Sequence, residues 1–166
     1  MSVIIRPIQI EDANALHQMR HMEGVFENIT GLPTTRLQES IDFINSMPSH
    51  HHQLVACVNN QVVGTVSLVL NTSMRRRHCA TLGIMVHKDY QNQGIGTLLI
   101  KAILELANQW LIVRRIELDV VADNEKAIHL YQKMGFVIEG KRVQAFIKNG
   151  QYVDEYFMAR INEQGC

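Results

Sequence analysis

A chain of 166 residues, 46% of them hydrophobic, is long enough to close a core by apolar burial alone, so neither a disulfide nor a metal is needed to hold it. Sixteen lysines and arginines are balanced by sixteen aspartates and glutamates, which removes the electrostatic reason to expect nucleic acid or an anionic membrane as a partner. No apolar run reaches the roughly 18 residues of a bilayer span, and the opening residues lack the apolar stretch of a secretory signal; the expectation is one domain, residues 1–166, in the cytoplasm.

In chain order, Val3 to Ile8 reads as a strand stopped near Pro7. Glu11 and Asp12 then open a helix that places Ala13, Leu16, Met19 and Met22 on one face. Residues 24–33 hold Val25, Phe26, Ile29 and Leu32 without periodicity and read as a loop. Thr34 and Thr35 are suited to cap a second helix with the stripe Leu37, Ile41, Phe43, Ile44 and Met47. Residues 48–52 read as a linker, with His50, His51 and His52 in a solvated loop, because consecutive residues cannot easily converge on one ion. Gln53–Val58 and Gln61–Leu70 form a hairpin through Asn59 and Asn60. A strand over 77–87, a helix over 97–110, with Trp110 packing at its end, and a strand over 115–121 follow. A helix over 127–134 ends at Gly135, and two strands flank the turn at 148–150. The order β-α-α-β-β-β-α-β-α-β-β predicts an α/β protein with a mixed sheet and helices on both faces. Cys57, Cys79 and Cys166 are an odd, scattered trio that fits neither a disulfide framework nor a zinc cluster, so no metal is expected.

The turn from Gln91 to Thr97 carries the chemistry. An apolar strand ends at Val86, a short polar turn follows, and Gln91-Asn92-Gln93-Gly94-Ile95-Gly96 leads directly into an amphipathic helix. The first turn of a helix has unpaired N–H groups and a partial positive charge, and glycine lets an anion approach the main chain. The turn lacks the lysine of a nucleotide-hydrolase loop, and Gly94 with Gly96 alone does not make GxGxxG. Two readings remain: an ordinary strand-to-helix turn, or a diphosphate grip made from the N–H groups of Gln93, Gly94, Ile95, Gly96 and Thr97.

Gln91-x-x-Gly94-x-Gly96 resembles the [QR]-x-x-G-x-[GA] signature of the GCN5-related N-acetyltransferase (GNAT) superfamily, and Asn124-x-x-Ala127-x-x-x-Tyr131-x-x-x-Gly135-Phe136 resembles its second hallmark. The similarity runs from Ile4 to Arg160. Arg75–His78, Asn108–Leu111, Arg115–Leu118 and Asn149–Asp154 look like the bacterial amino-acid N-acetyltransferases of the YhhY type. The resemblance implies the GNAT acyl-CoA N-acyltransferase fold, with parallel strands Leu82–Val86 and Ile116–Val121 splayed apart. It implies acetyl-coenzyme A as co-substrate, its diphosphate held by the turn from Gln91 through Asn92 to Thr97. Main-chain groups of Ile84, Met85 and Val86 would then meet the pantetheine arm in a strand-addition manner, and Asn124 would contact the same arm besides suiting a helix N-cap. A homodimer is the family-level expectation.

Tyr131 is the catalytic candidate. A phenol with a pKa near ~10 keeps its proton at neutral pH and can give it to a departing thiolate; the alternative is a core tyrosine bonded to a backbone acceptor. The base is open. Thr81 stands where many relatives carry a carboxylate and cannot be a base near pH 7. His78, a water chain ordered by Thr81, His78 or an acid on the last strand (Asp154 or Glu155), and a substrate that arrives partly deprotonated all remain. For the acceptor, Phe26, Ile29 and Leu32 are candidate apolar walls, Glu27 or Glu23 a partner for an ammonium, and an arginine of 75–77, Arg77 foremost, a partner for a carboxylate. Cys79 is a thiol that could accept acetyl, but no cysteine sits in either motif, so transfer is expected to be direct. By closest resemblance the acceptor is the α-amino group of a free L-amino acid. The alternatives are another amine (polyamine, aminoglycoside, protein N-terminus or lysine) or a non-catalytic acyl-coenzyme A sensor.

Overall fold

Seven strands form one mixed sheet in the computed structural model, which describes residues 1–163. They are β1 (Ile4–Pro7), β2 (His51–Val58), β3 (Gln61–Leu70), β4 (Cys79–Val86), β5 (Arg115–Val121), β6 (Val137–Lys148) and β7 (Gln151–Ile161), and they lie in the order β1-β2-β3-β4-β5-β7-β6. Helices α1 (Ala13–Arg20) and α2 (Leu37–Asn45) separate β1 from β2, α3 (Ile95–Gln109) joins β4 to β5, and α4 (Glu125–Lys133) joins β5 to β6. This is the α/β order that the sequence predicts. Cys166 lies outside the described residues. Among those residues no helix is long and apolar enough to cross a membrane.

Every neighbouring pair is antiparallel except β4 and β5. A parallel pair needs a crossover, and α3 supplies it. The parallel ladder is short: Cys79 pairs with Arg115, Ala80 with Ile116 and Thr81 with Glu117, and there it stops. Past that rung β4 stays paired to β3 as far as Val86, and β5 stays paired to β7 as far as Val121. The two strands therefore diverge while each is held from its outer side, which is the splay that the resemblance implies. The joined end is closed by the His78 carbonyl, which accepts from the N–H groups of Arg114 and Arg115 at 3.0 Å each.

The core lies on the α3 face of the sheet. Ile95, Leu99, Ile100, Ile103, Leu104 and Ala107 form the buried stripe of α3 and meet Leu68, Leu82, Ile116, Leu118 and Met158; each buried Leu, Ile or Met contributes about 1.5–3 kcal/mol relative to exposure. At Gly64 a Cβ would come within 3.0 Å of Leu99 Cδ1 and 3.2 Å of Ile95 Cγ2. The glycine lets the first turns of α3 seat directly on β3, and so fixes where the helix N-terminus sits. On the opposite face α1 packs Leu16 and Met19 onto Val55, Cys57, Val62 and Met85. Its entry is set by a bidentate pair in which Arg6 donates to both Asp12 oxygens at 2.8 Å, and Asp12 also accepts the Gln9 N–H at 2.8 Å. Burial pushes the Asp12 carboxyl upward, but the Arg6 and Gln9 hydrogen bonds outweigh it and leave the group below the ordinary carboxylate range.

Three local expectations are corrected. The second helix starts after Arg36, because Glu39 accepts the Arg36 N–H at 3.3 Å while the Thr35 hydroxyl accepts from Leu32 at 3.4 Å in the preceding turn. His51 and His52 lie in β2, paired with Val69 and Leu68, and the His51 ring meets Phe43 edge-on at 5.3 Å. Trp110 lies beyond the end of α3 and is 78% exposed instead of packed.

Candidate active site

β4 ends at Val86, a short helical turn spans Lys88–Tyr90, and the chain then reverses through Asn92 (φ 59) and Gly94 (φ 84) into α3. Two side-chain amides hold this turn from within. Gln91 Nε2 donates to the Val86 carbonyl at 3.1 Å, and Gln93 Nε2 donates to the Asp89 carbonyl at 2.7 Å. Gln91 thus shapes the turn, which is a physical reason for an amide at the first position of the motif. Leu98 is the first residue of the helix whose N–H reaches a carbonyl, that of Gly94 at 3.0 Å. The N–H groups of Ile95, Gly96 and Thr97 are the orphan donors of a helix start, and they carry its partial positive charge. The two glycines serve different ends. A Cβ on Gly94 would meet nothing of the protein within 4 Å, so the space before the turn is open; a Cβ on Gly96 would strike Leu130 Cδ2 at 2.8 Å, so α3 and α4 approach there.

A cavity of about 690 Å³ runs from this turn into the gap between β4 and β5, within the usual range of about 300–1,000 Å³ for small-molecule sites. Ile84, Met85, Val86, Gln91, Asn92, Gly94, Gly96 and Thr97 line one side, and Asn124 and Tyr131 line the other together with Asp119, Val120, Lys126, His129 and Lys133. A third wall comes from the end of α1, the 24–30 loop, α2 and the β2–β3 hairpin, and it includes Arg20, Ile29, Phe43, Gln53, Thr65 and Ser67. That loop is tied to the β6–β7 turn, because Lys148 Nζ donates to Asn28 at 3.1 Å and to Asp123 at 2.9 Å.

Asn124 caps α4, its side-chain oxygen accepting the Ala127 N–H at 3.4 Å, while the residue still faces the cavity. Tyr131 is 6% exposed, with its ring 5.9 Å from that of Phe136. Its hydroxyl has no hydrogen-bond partner among the described residues, so the backbone acceptor that a core tyrosine would use is missing. Burial pushes the phenol above its ordinary pKa, which keeps it a proton donor throughout the neutral range.

Several expected residues lie elsewhere. Ile95 turns its side chain into the core, and Gln93 folds back on Asp89, so each offers only main chain to the turn. Glu27 accepts the Gly24 N–H at 2.8 Å, and Phe26 stacks on His21 at 6.3 Å; neither lines the cavity. Glu23, Leu32, Arg77 and His78 are exposed and outside it. Thr81 lies at the joined end of the strand pair, on a separate pocket of about 260 Å³ shared with His50, Asn71, Cys79 and Glu117. His78, Thr81 and the Cys79 thiol are therefore apart from the cavity that holds Tyr131, and neither Asp154, which accepts the Gln144 N–H at 2.9 Å, nor Glu155 lines it.

Other lining residues escaped the sequence reading. Lys126, His129 and Lys133 recur at helical spacing on α4, a signal that was legible in the second motif. Asp119, which accepts from Arg142, is the only carboxylate among the described residues lining the cavity. Arg20, in the last turn of α1, lines the opposite end, where burial lowers its pKa.

The arrangement combines a main-chain anion cradle, two lysines on α4 lining the same cavity, a gap edged by unpaired strand, and a buried phenol. The chain matches the Acetyltransferase (GNAT) family over residues 16–136. It is 35% identical over 159 residues to the L-amino acid N-acetyltransferase AaaT of Escherichia coli K12, which covers 96% of this chain and 98% of that protein. It is 31% identical over 166 residues to spermidine N(1)-acetyltransferase of the same organism, covering 98% and 88% respectively. Among solved structures, spermidine N-acetyltransferase from Vibrio cholerae in complex with CoA and spermine superposes with a TM-score of 0.85 at 25% identity, covering 96% of this chain and 95% of that one.

Proposed function

The chain belongs to the acetyltransferase (GNAT) family and is an acyltransferase, and from that premise we propose that it moves acetyl from acetyl-coenzyme A directly to the α-amino group of a free L-amino acid. GNAT acetyltransferases use acetyl-coenzyme A as co-substrate, and the residues present suit it. The N–H groups of residues 93–97 would hold the diphosphate, Lys126 and Lys133 add positive charge beside it, and Ile84, Met85 and Val86 offer a strand edge to the amide-bearing arm. The co-substrate supplies a thioester, whose sulfur leaves as a thiolate when an amine displaces it. One observation carries the reading: the cradle and the unpartnered Tyr131 hydroxyl open onto one cavity.

Tyr131 holds a proton at the buried end of that cavity and gives it, or a hydrogen bond, to the departing sulfur. Asp119 is assigned the acceptor's ammonium; the nitrogen attacks from its deprotonated form, the ammonium proton having passed to bulk water. Transfer in one step needs no nucleophile on the protein, in keeping with the place of Cys79 outside the cavity. The amino-acid acceptor is favoured over a polyamine by charge. The third wall has no carboxylate among its described residues, so a polycation would find no counter-charge there. The test is release of coenzyme A thiol, followed across the twenty L-amino acids, spermidine and a lysine peptide. Acceptor-dependent release with neutral amino acids is expected; turnover of spermidine with none of any amino acid would overturn the substrate assignment.

A further inference from the structure

Three half-buried cations in this protein hold carboxylates: Arg6 holds Asp12, Arg115 holds Glu117, and Lys148 holds Asp123. Arg160 does not, its Nη1 buried without a partner among the described residues, beside Gly135 and outside the main cavity, and neither does Arg20. It is half-buried in the last turn of α1, lines the main cavity, and has no hydrogen bond or ion pair among the described residues. A cation taken partly out of water is ordinarily paired, because an unpaired one forfeits its hydration without return. The partial negative charge of the helix C-terminus recovers only part of such a loss, so the position calls for an anion that arrives from outside.

Two of the neighbouring polar side chains, Gln53 and Thr65, are committed to one another, and Asn28 is engaged elsewhere. Gln53 Nε2 donates to the Thr65 hydroxyl at 2.9 Å, and that hydroxyl donates to the Leu54 carbonyl at 2.9 Å. The Asn28 side-chain oxygen accepts from Lys148. Arg20 is thus left as the one formal charge among the described residues of this wall, with Val25, Ile29 and Phe43 as apolar surface beside it. A guanidinium presents a planar fork of N–H donors that fits a carboxylate in two parallel bonds.

We infer that Arg20 binds the α-carboxylate of the acceptor and thereby selects free amino acids with uncharged side chains over amines that lack a carboxylate. The inference rests on the amino-acid reading above and adds to it the group that reads the acid. With the carboxylate held at the α1 end, the amino group two bonds away lies on the side of the cavity that leads to the β4–β5 gap, and the apolar side chain can rest on Ile29 and Phe43. Arg20 takes the place in this scheme that the sequence offered to Arg77.

The test compares the best of the twenty L-amino acids with its own carboxamide, in the wild type and in the variants Arg20→Gln and Arg20→Lys. Thermal melts and the KM for acetyl-coenzyme A serve as controls of folding and of the cradle. The wild type should prefer the free acid by at least tenfold in kcat/KM. Arg20→Gln should lose that preference to within about threefold through a raised acceptor KM, with the acetyl-coenzyme A KM unchanged, and Arg20→Lys should fall between. A wild type indifferent to amidation overturns the inference whatever the variants do. So does a preference that survives Arg20→Gln, or Arg20→Lys should the glutamine variant not fold. Either of those outcomes leaves the amino-acid reading standing, whereas turnover of spermidine alone removes both.

Discussion

Consider replacing Gly94 by alanine. The residue sits at φ 84 and ψ −2, and a Cβ there would touch no protein atom within 4 Å. The folded chain would therefore bear only the backbone strain of a left-handed L-residue, about 1–2 kcal/mol. For a domain of this size that is a loss of about 2–8 °C in Tm. The cost to binding is separate, because the new methyl occupies the open space in front of the turn. Losing one charge-assisted hydrogen bond from the cradle, about 1.5–3 kcal/mol, would weaken coenzyme A by roughly ten- to a hundredfold. Gly150→Ala is the matched control. Gly150 lies at φ 75 in the β6–β7 turn, also with nothing within 4 Å of a Cβ, and it does not line the cavity. Both variants should melt a similar number of degrees below wild type, while only Gly94→Ala loses affinity in calorimetric titration with coenzyme A. If the two bind coenzyme A equally well, the diphosphate is not held at this turn.

Tyr131→Phe should lower kcat by about a hundredfold, the low end for a lost general acid, with little change in the KM for acetyl-coenzyme A; a variant within threefold of wild type would remove the phenol from the mechanism. Because burial raises the folded-state pKa of Tyr131, the unfolded chain loses this proton first. The stability it contributes is complete below about pH 10 and is lost as pH rises beyond that, so chemical denaturation near pH 11 should show a smaller alkaline loss in Tyr131→Phe. Asp12→Asn leaves half-buried Arg6 without its charge partner and should cost about 1–3 kcal/mol at pH 7. Asp12 is held below the ordinary carboxylate range when folded, so that deficit should shrink as pH falls below about 4; a urea-measured deficit that persists undiminished at pH 2.5 would refute the pairing account. His78→Ala and Thr81→Ala, both outside the cavity, should each leave kcat/KM within about twofold of wild type. A loss of a hundredfold or more in either would return the base to that strand.

The element order was legible because hydrophobic periodicity and turn residues are local signals, and the cradle was legible because a strand, a glycine turn and a helix start follow one another within a few residues. The start of α2 is not legible in the sequence, because Glu39, not a threonine, satisfies the Arg36 N–H. The beginning of β2 was missed because consecutive histidines read as polar, although β3 lies beside them and pairs with them. The acceptor wall was the least legible part. Whether β4 opens toward Thr81 or toward Met85 depends on where the parallel ladder stops, which no single segment encodes. Arg20 and Asp119 lie far apart in sequence and line the same cavity only because the strand order folds α1 and β5 around one gap.

The ladder that ends at Thr81 and Glu117 has a cost in solution. Exposed strand edges invite pairing with foreign chains, and here two of them face each other across a crevice inside the molecule. The crevice is walled by α4 and by the end of α1, so the visitor it suits is a thin arm bearing amides and not another protein's strand. On the proposed function that arm belongs to the co-substrate, and it would quiet the edges for as long as it stays. Protein stripped of it would be the form more prone to self-association during handling.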